Sequence, residues 1–86
     1  MSFVDLVIVN VDGEKILCVA PDFSYLKEGD LVMINEHLMV NVVKSDTFPK
    51  DETNKGVEMI LTAFGVDHID ELPKIKAKVS IHDFEY

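Results

Sequence analysis

The sequence contains no arginine and no tryptophan, one cysteine, three prolines and four glycines. Each scarcity closes a class of function. Arginine is the side chain best shaped for phosphates and guanine edges. Its absence, with sixteen carboxylates against eight lysines and a net charge of −8, argues against direct nucleic-acid binding and against docking on an anionic membrane. A single cysteine, Cys18, excludes an intrachain disulfide and a cysteine-built zinc site. The glycines Gly13, Gly29, Gly56 and Gly65 are too far apart to make a phosphate-cradling loop. No apolar stretch approaches the ~20 residues that span a bilayer. The N-terminus lacks the basic flank and small-residue cleavage site of a signal peptide, so the cytoplasm is the expected location.

What remains is ordinary globular material. Hydrophobic residues make up 48% and charged residues 28% of 86 residues, which suits one folded domain over residues 1–86 and not a disordered tail. Residues 3–11 are rich in β-branched side chains, with apolar residues on both faces around Leu6 to Val9. That pattern predicts a strand covered on both sides, or one bending around a barrel. Asp12-Gly13 between two apolar runs predicts a tight hairpin, with a second strand over 14–20 ended by Pro21. Strands over 31–35 and 38–44 would complete a four-stranded antiparallel meander. Residues 45–53, polar and holding Pro49, read as the longest and most mobile loop.

Val57, Ile60, Leu61 and Phe64 recur at i, i+3, i+4 and i+7, predicting one amphipathic helix. Thr53 or Asn54 would cap it and Gly65 would end it. Gly56 weakens its first turn. Asp67 could cap one further turn, stopped by Pro73. At the end of the chain Ile75, Ala77, Val79 and Ile81 alternate with Lys74, Lys76, Lys78, Ser80 and His82. This predicts a half-buried antiparallel strand with a lysine face. The fold class is therefore α+β: a small five-stranded, mostly antiparallel sheet or partly closed barrel (β-β-β-β-α-β) with one amphipathic helix. The two-faced first strand favours the barrel.

Lys27-Glu28-Gly29-Asp30-Leu31-Val32-Met33-Ile34 resembles the x-G-D-x-V-x-V strand entry of small SH3-like barrels. The Asp12-Gly13 hairpin and residues 14–34 also resemble small uncharacterised proteins of phages and other mobile elements. The resemblance spans residues 3–44. It implies a fold type and an accessory role in a mobile element, and it assigns no functional residue.

No constellation singles out a reaction. Cys18 sits in the apolar run Ile16-Leu17-Cys18-Val19-Ala20 and reads as a small core hydrophobe, not a nucleophile. The densest set of metal-capable side chains, Asp67-His68-Ile69-Asp70-Glu71, matches no ligand spacing, and its acids suit a helix start. Lys74, Lys76 and Lys78 suit pairing with local acids better than phosphate binding. No catalytic, cofactor-binding or metal-ligating residue is assigned, and no cofactor is expected.

Aromatic residues outside the regular elements, Phe23, Tyr25, Phe84 and Tyr86, are the candidate partner surface. The expected function is a non-enzymatic interaction or accessory module whose partner is a protein, a second copy among the candidates. The alternatives are a small-molecule or peptide-binding barrel and an acidic decoy that mimics nucleic acid.

Overall fold

The computed structural model describes residues 2–20, 26–35 and 38–79. Strand β1 (Phe3–Val11) and strand β2 (Glu14–Ala20) form a hairpin. Its two turn residues, Asp12 and Gly13, have φ of 51° and 88°. Glycine reaches such angles freely, and aspartate tolerates them better than most residues. Strand β3 (Leu31–Asn35) and strand β4 (Leu38–Pro49) form a second hairpin.

The sheet order is β2-β1-β4-β3-β5, with β5 spanning Ala77–Val79. All four ladders are antiparallel. The expected meander is therefore wrong in its pairing. β3 does not lie beside β2; the second hairpin adds to the free side of β1 through β4. The apolar character of both faces of β1 is what a central strand needs. Val4 and Leu6 point to one side and Val7 and Val9 to the other, all buried.

Residues 45–49 are not loop. β4 continues to Pro49 because the first half of β1 needs a partner: Asp5 faces Thr47, and Val4 faces Phe48. The polarity of this stretch misleads because half of it lines a wet sheet face, while Thr47 donates to the buried Asp5 carboxyl at 2.6 Å. Between Ile8 and Val9 the register shifts, so Lys44 opposes Ile8 and Val42 opposes Val9. Val43 is thus an extra residue, a β-bulge that bends the strand.

Helix α1 (Lys55–Ala63) starts at Asn54, whose side-chain oxygen accepts from the amides of Gly56 and Val57 at 3.0 and 3.3 Å. Gly65, at φ 70°, follows its end. Gly56 has a packing reason to be there: a Cβ on it would sit 3.1 Å from the Phe48 ring. A 3₁₀ turn (Ile69–Glu71) follows. His68, not Asp67, is the residue flanking its start, with extended backbone.

Two apolar cores lie on opposite faces of the one sheet. On the helix side Val4, Leu6, Leu17 and Val19 meet Val57, Leu61, Ile69 and Leu72. On the other side the sheet curls over Val7, Val9, Cys18, Val32, Val40 and Val42. The curl does not close into a barrel. Lys76 donates its amide to the Met33 carbonyl on β3, while its neighbour Ile75 donates to the Val19 carbonyl on β2. Among the described residues, contact of this segment with β2 is a single parallel bridge, Val19 to Lys74. The favoured barrel is replaced by an open sheet with one clasp.

Candidate functional site

The four aromatic residues proposed as a partner surface, Phe23, Tyr25, Phe84 and Tyr86, lie outside the described residues, as do Ser80, Ile81 and His82 of the predicted last strand. The remaining candidates are placed as follows.

Cys18 is buried in the curled core, and that burial pushes its thiol up to about 11. His37 is outside the described residues, and His68 is engaged elsewhere. A thiol held neutral in an apolar core is a poor nucleophile.

The acidic cluster after the helix is used to fasten the chain. Glu71 accepts from the amides of Asp67 and His68 at 3.2 and 3.3 Å. Glu52, in the turn before α1, meets His68 Nδ1 at 2.9 Å and accepts from the Ile69 amide at 3.3 Å. Glu52 with His68 thus makes a second clasp, which holds Ile69 in the helix-side core. Among the described residues no group of three or more His, Cys, Asp or Glu side chains converges as a cation site requires.

The clasp is pH-dependent. Its hydrogen bond to Glu52 raises the His68 pKa, and the nearby Glu71 and Asp67 carboxylates add to the rise. The bonds from His68 and then Ile69 lower that of Glu52. A raised histidine contributes stability fully below its ordinary 6.5, and the contribution is lost as pH rises through the raised value. A lowered glutamate contributes above its ordinary 4.5, and that is lost as pH falls through the lowered value. The clasp is complete between those two pH values. The thermal midpoint of the parent chain should exceed that of His68→Gln most in this window, and the gap should narrow toward pH 8 and toward pH 3. A gap independent of pH would remove the ion pair from the account.

Of the lysine face, Lys78 reaches Asp30 at 3.3 Å. Burial pulls the Asp30 pKa up, but the Lys27 amide and the Lys78 ammonium outweigh it and hold the carboxyl low. The expected alternation of this strand breaks between Ile75 and Ala77: Ala77 and Val79 pair with Met33 and Leu31, on the face opposite Val32. Ile75 packs on the curled core, but Ala77 is exposed and Val79 half-buried.

The register explains that exposure and defines a surface. Met33 faces both Met39 and Ala77, and Leu31 faces Val79. Directly paired strand residues share a face. Met33, Met39, Ala77, Leu31 and Val79 therefore form one apolar patch across β4, β3 and β5. Neither methionine belongs to the core beneath the helix. Met39 is 55% exposed. Strand alternation puts Met39 on the face opposite Val40. The core that α1 forms draws on β1 and β2 and includes no buried residue of β3 or β5, which strand alternation alone does not reveal.

Among the described residues, three clefts border the helix and sheet. One of about 100 Å³ is lined by Leu6, Ile8, Leu17, Ile60, Lys44 and Asp46. A second, of about 230 Å³, lies between Lys15, Ile16 and Leu17 on β2 and Phe64, Val66, Glu71, Leu72 and Pro73. The third, about 50 Å³, lies beside Val19 and Ile69. No helix among the described residues is long and apolar enough to cross a membrane. Comparison with protein-family models, with curated proteins and with solved structures finds no match to this chain.

Proposed function

We propose that this chain is a non-enzymatic interaction module, an accessory component that works by binding another protein. The observation that carries it is the apolar patch of half-buried Met33 and exposed Met39, which lies outside both described cores. Methionine-rich surfaces adapt to partners, and exposed apolar patches on small domains mark interaction sites. The side chains with catalytic potential support the same reading. Cys18 is buried, and His68, Glu52 and Glu71 are occupied in holding the chain together. A small-molecule barrel is the weaker reading. The curled core is filled by the chain's own valines, and the clefts lined by described residues fall below the ~300–1,000 Å³ of ligand pockets.

The test is Met39→Asp. Met39 is exposed, so the variant should fold with stability changed by no more than about 0.5 kcal/mol. Capture from lysate of the natural source, at low and at high salt, should recover a stoichiometric protein with the parent chain at both. Met39→Asp should recover at least about tenfold less, because a buried charge at an apolar contact costs more than 1.4 kcal/mol. Light scattering on the purified chain tells whether that partner is a second copy. Equal recovery with both chains would overturn the patch as the binding surface. A partner lost by salt alone would favour the acidic decoy.

A further inference from the structure

We propose that the outer edge of β2 receives an extended, basic segment of a partner protein, one large apolar side chain of which sits between Leu17 and Phe64. The inference rests on the interaction-module reading and names the partner's chemistry.

The phase of the first hairpin fixes which backbone groups of β2 point outward. A two-residue turn between Val11 and Glu14 makes these two a hydrogen-bonded pair. Residues Glu14, Ile16, Cys18 and Ala20 then bond to β1, and Lys15, Leu17 and Val19 turn their N–H and C=O groups away from it. At Val19 both groups are served by the chain itself: its amide donates to the Pro73 carbonyl and its carbonyl accepts from Ile75, each at 2.9 Å. The next step of that parallel ladder would bring the amide of residue 73 to the Leu17 carbonyl. Residue 73 is proline and has no N–H. The ladder therefore stops after one bridge, and Leu17 and Lys15 have no backbone partner on the outer side among the described residues. Unpaired edge groups of this kind template the addition of a strand. Val19 already demonstrates it with the chain's own segment.

The cleft of about 230 Å³ opens on that edge, with Phe64, Val66 and Leu72 as its apolar wall. Its size selects the occupant. It is too small for a cofactor or drug-sized ligand, and it matches one large side chain carried on a strand. Charge sets the flanks of that strand. The chain carries −8; Glu71 and Lys15 line the cleft and offset each other, so the excess is set by the exposed Glu14 beside the open edge and by the charge of the whole chain. A positively charged segment is favoured over an acidic one.

The experiment selects displayed random linear dodecapeptides on the immobilised chain. The best peptide is then titrated into isotope-labelled protein while amide hydrogen exchange is followed. Enriched peptides should share one large apolar residue with lysine or arginine nearby. Saturation should slow exchange at the Lys15 and Leu17 amides at least tenfold. Lys15→Pro removes one outward N–H at an exposed edge position, where proline is tolerated. It should weaken binding at least tenfold with the hairpin intact by NMR. Peptides that instead protect Met33, Met39 or Val79 would overturn the edge proposal while upholding the module. Absence of any enriched peptide would overturn the edge, and the Met39→Asp capture would then judge the module separately. Protection of Lys15 and Leu17 in the concentrated chain alone, with a dimer mass by light scattering, would make the occupant a second copy and overturn the proposed partner.

Discussion

Replacing Leu61 with alanine is expected to lower the thermal midpoint by about 10–25 °C, the loss of about 2–4 kcal/mol in a domain of this size. Leu61 is the second fully inward residue of α1, one turn beyond Val57, and both are packed against Val4, Leu6, Leu17 and Val19. The alanine variant loses the transfer energy of the removed methyl groups and leaves a void that the strands cannot collapse into, because their other face is pinned to a second core. Small domains have little surplus to absorb this. Met59 supplies the control on the same helix. It is 72% exposed, and Met59→Ala should change stability by less than about 0.5 kcal/mol. Similar losses in both variants, measured by circular dichroism melts, would mean that the helix does not present the face described.

Cys18 is expected to react with iodoacetamide at pH 8 at least about a thousandfold more slowly than an unstructured cysteine peptide, and to become fully reactive in denaturant. Two effects multiply. A thiol raised to about 11 by burial is almost entirely protonated at pH 8, and a side chain with no exposed surface can be reached only when the sheet opens. The modification rate therefore reads the opening of the curled core. Rapid labelling of the folded chain would show that Cys18 is accessible and would reopen the question of a thiol chemistry.

Much of this architecture was legible in the residues. The i, i+3, i+4, i+7 stripe located α1 because its apolar residues have one side to bury on. Asp12-Gly13 located the hairpin because few residues take positive φ. The two-faced apolar pattern of β1 fits burial on both sides, its position in the sheet, and equally fits the bend of a barrel, the reading it favoured and the structure replaces. What sequence could not supply was pairing. Nothing local tells β4 to lie beside β1, since the preference is expressed only when both strands exist. Polarity misled at residues 45–49 for the same reason: Thr47 and Asp5 are polar to each other, forty-two positions apart. The Met33–Met39 patch was hidden in another way. Both residues have strand-like alternation, and only the docking of α1 over β1 and β2 leaves their half of the sheet outside its core. The proposed edge site was half visible, because Pro73 could be read as a stop, but not as the end of a ladder with Val19.

Val43 is the residue that the pairing of β1 with β4 does not count. Ile8 opposes Lys44 and Val9 opposes Val42, so both arms of β4 would keep their partners and their faces in a chain one residue shorter. The curvature of this domain is thus written in chain length rather than in side-chain identity. No replacement at position 43 straightens the strand, whereas loss of a single codon would. Relatives of this chain are then free to vary the residue at that position widely, while an in-frame deletion there would flatten the sheet and draw apart β2 and β3, which Ile75 and Lys76 tie together.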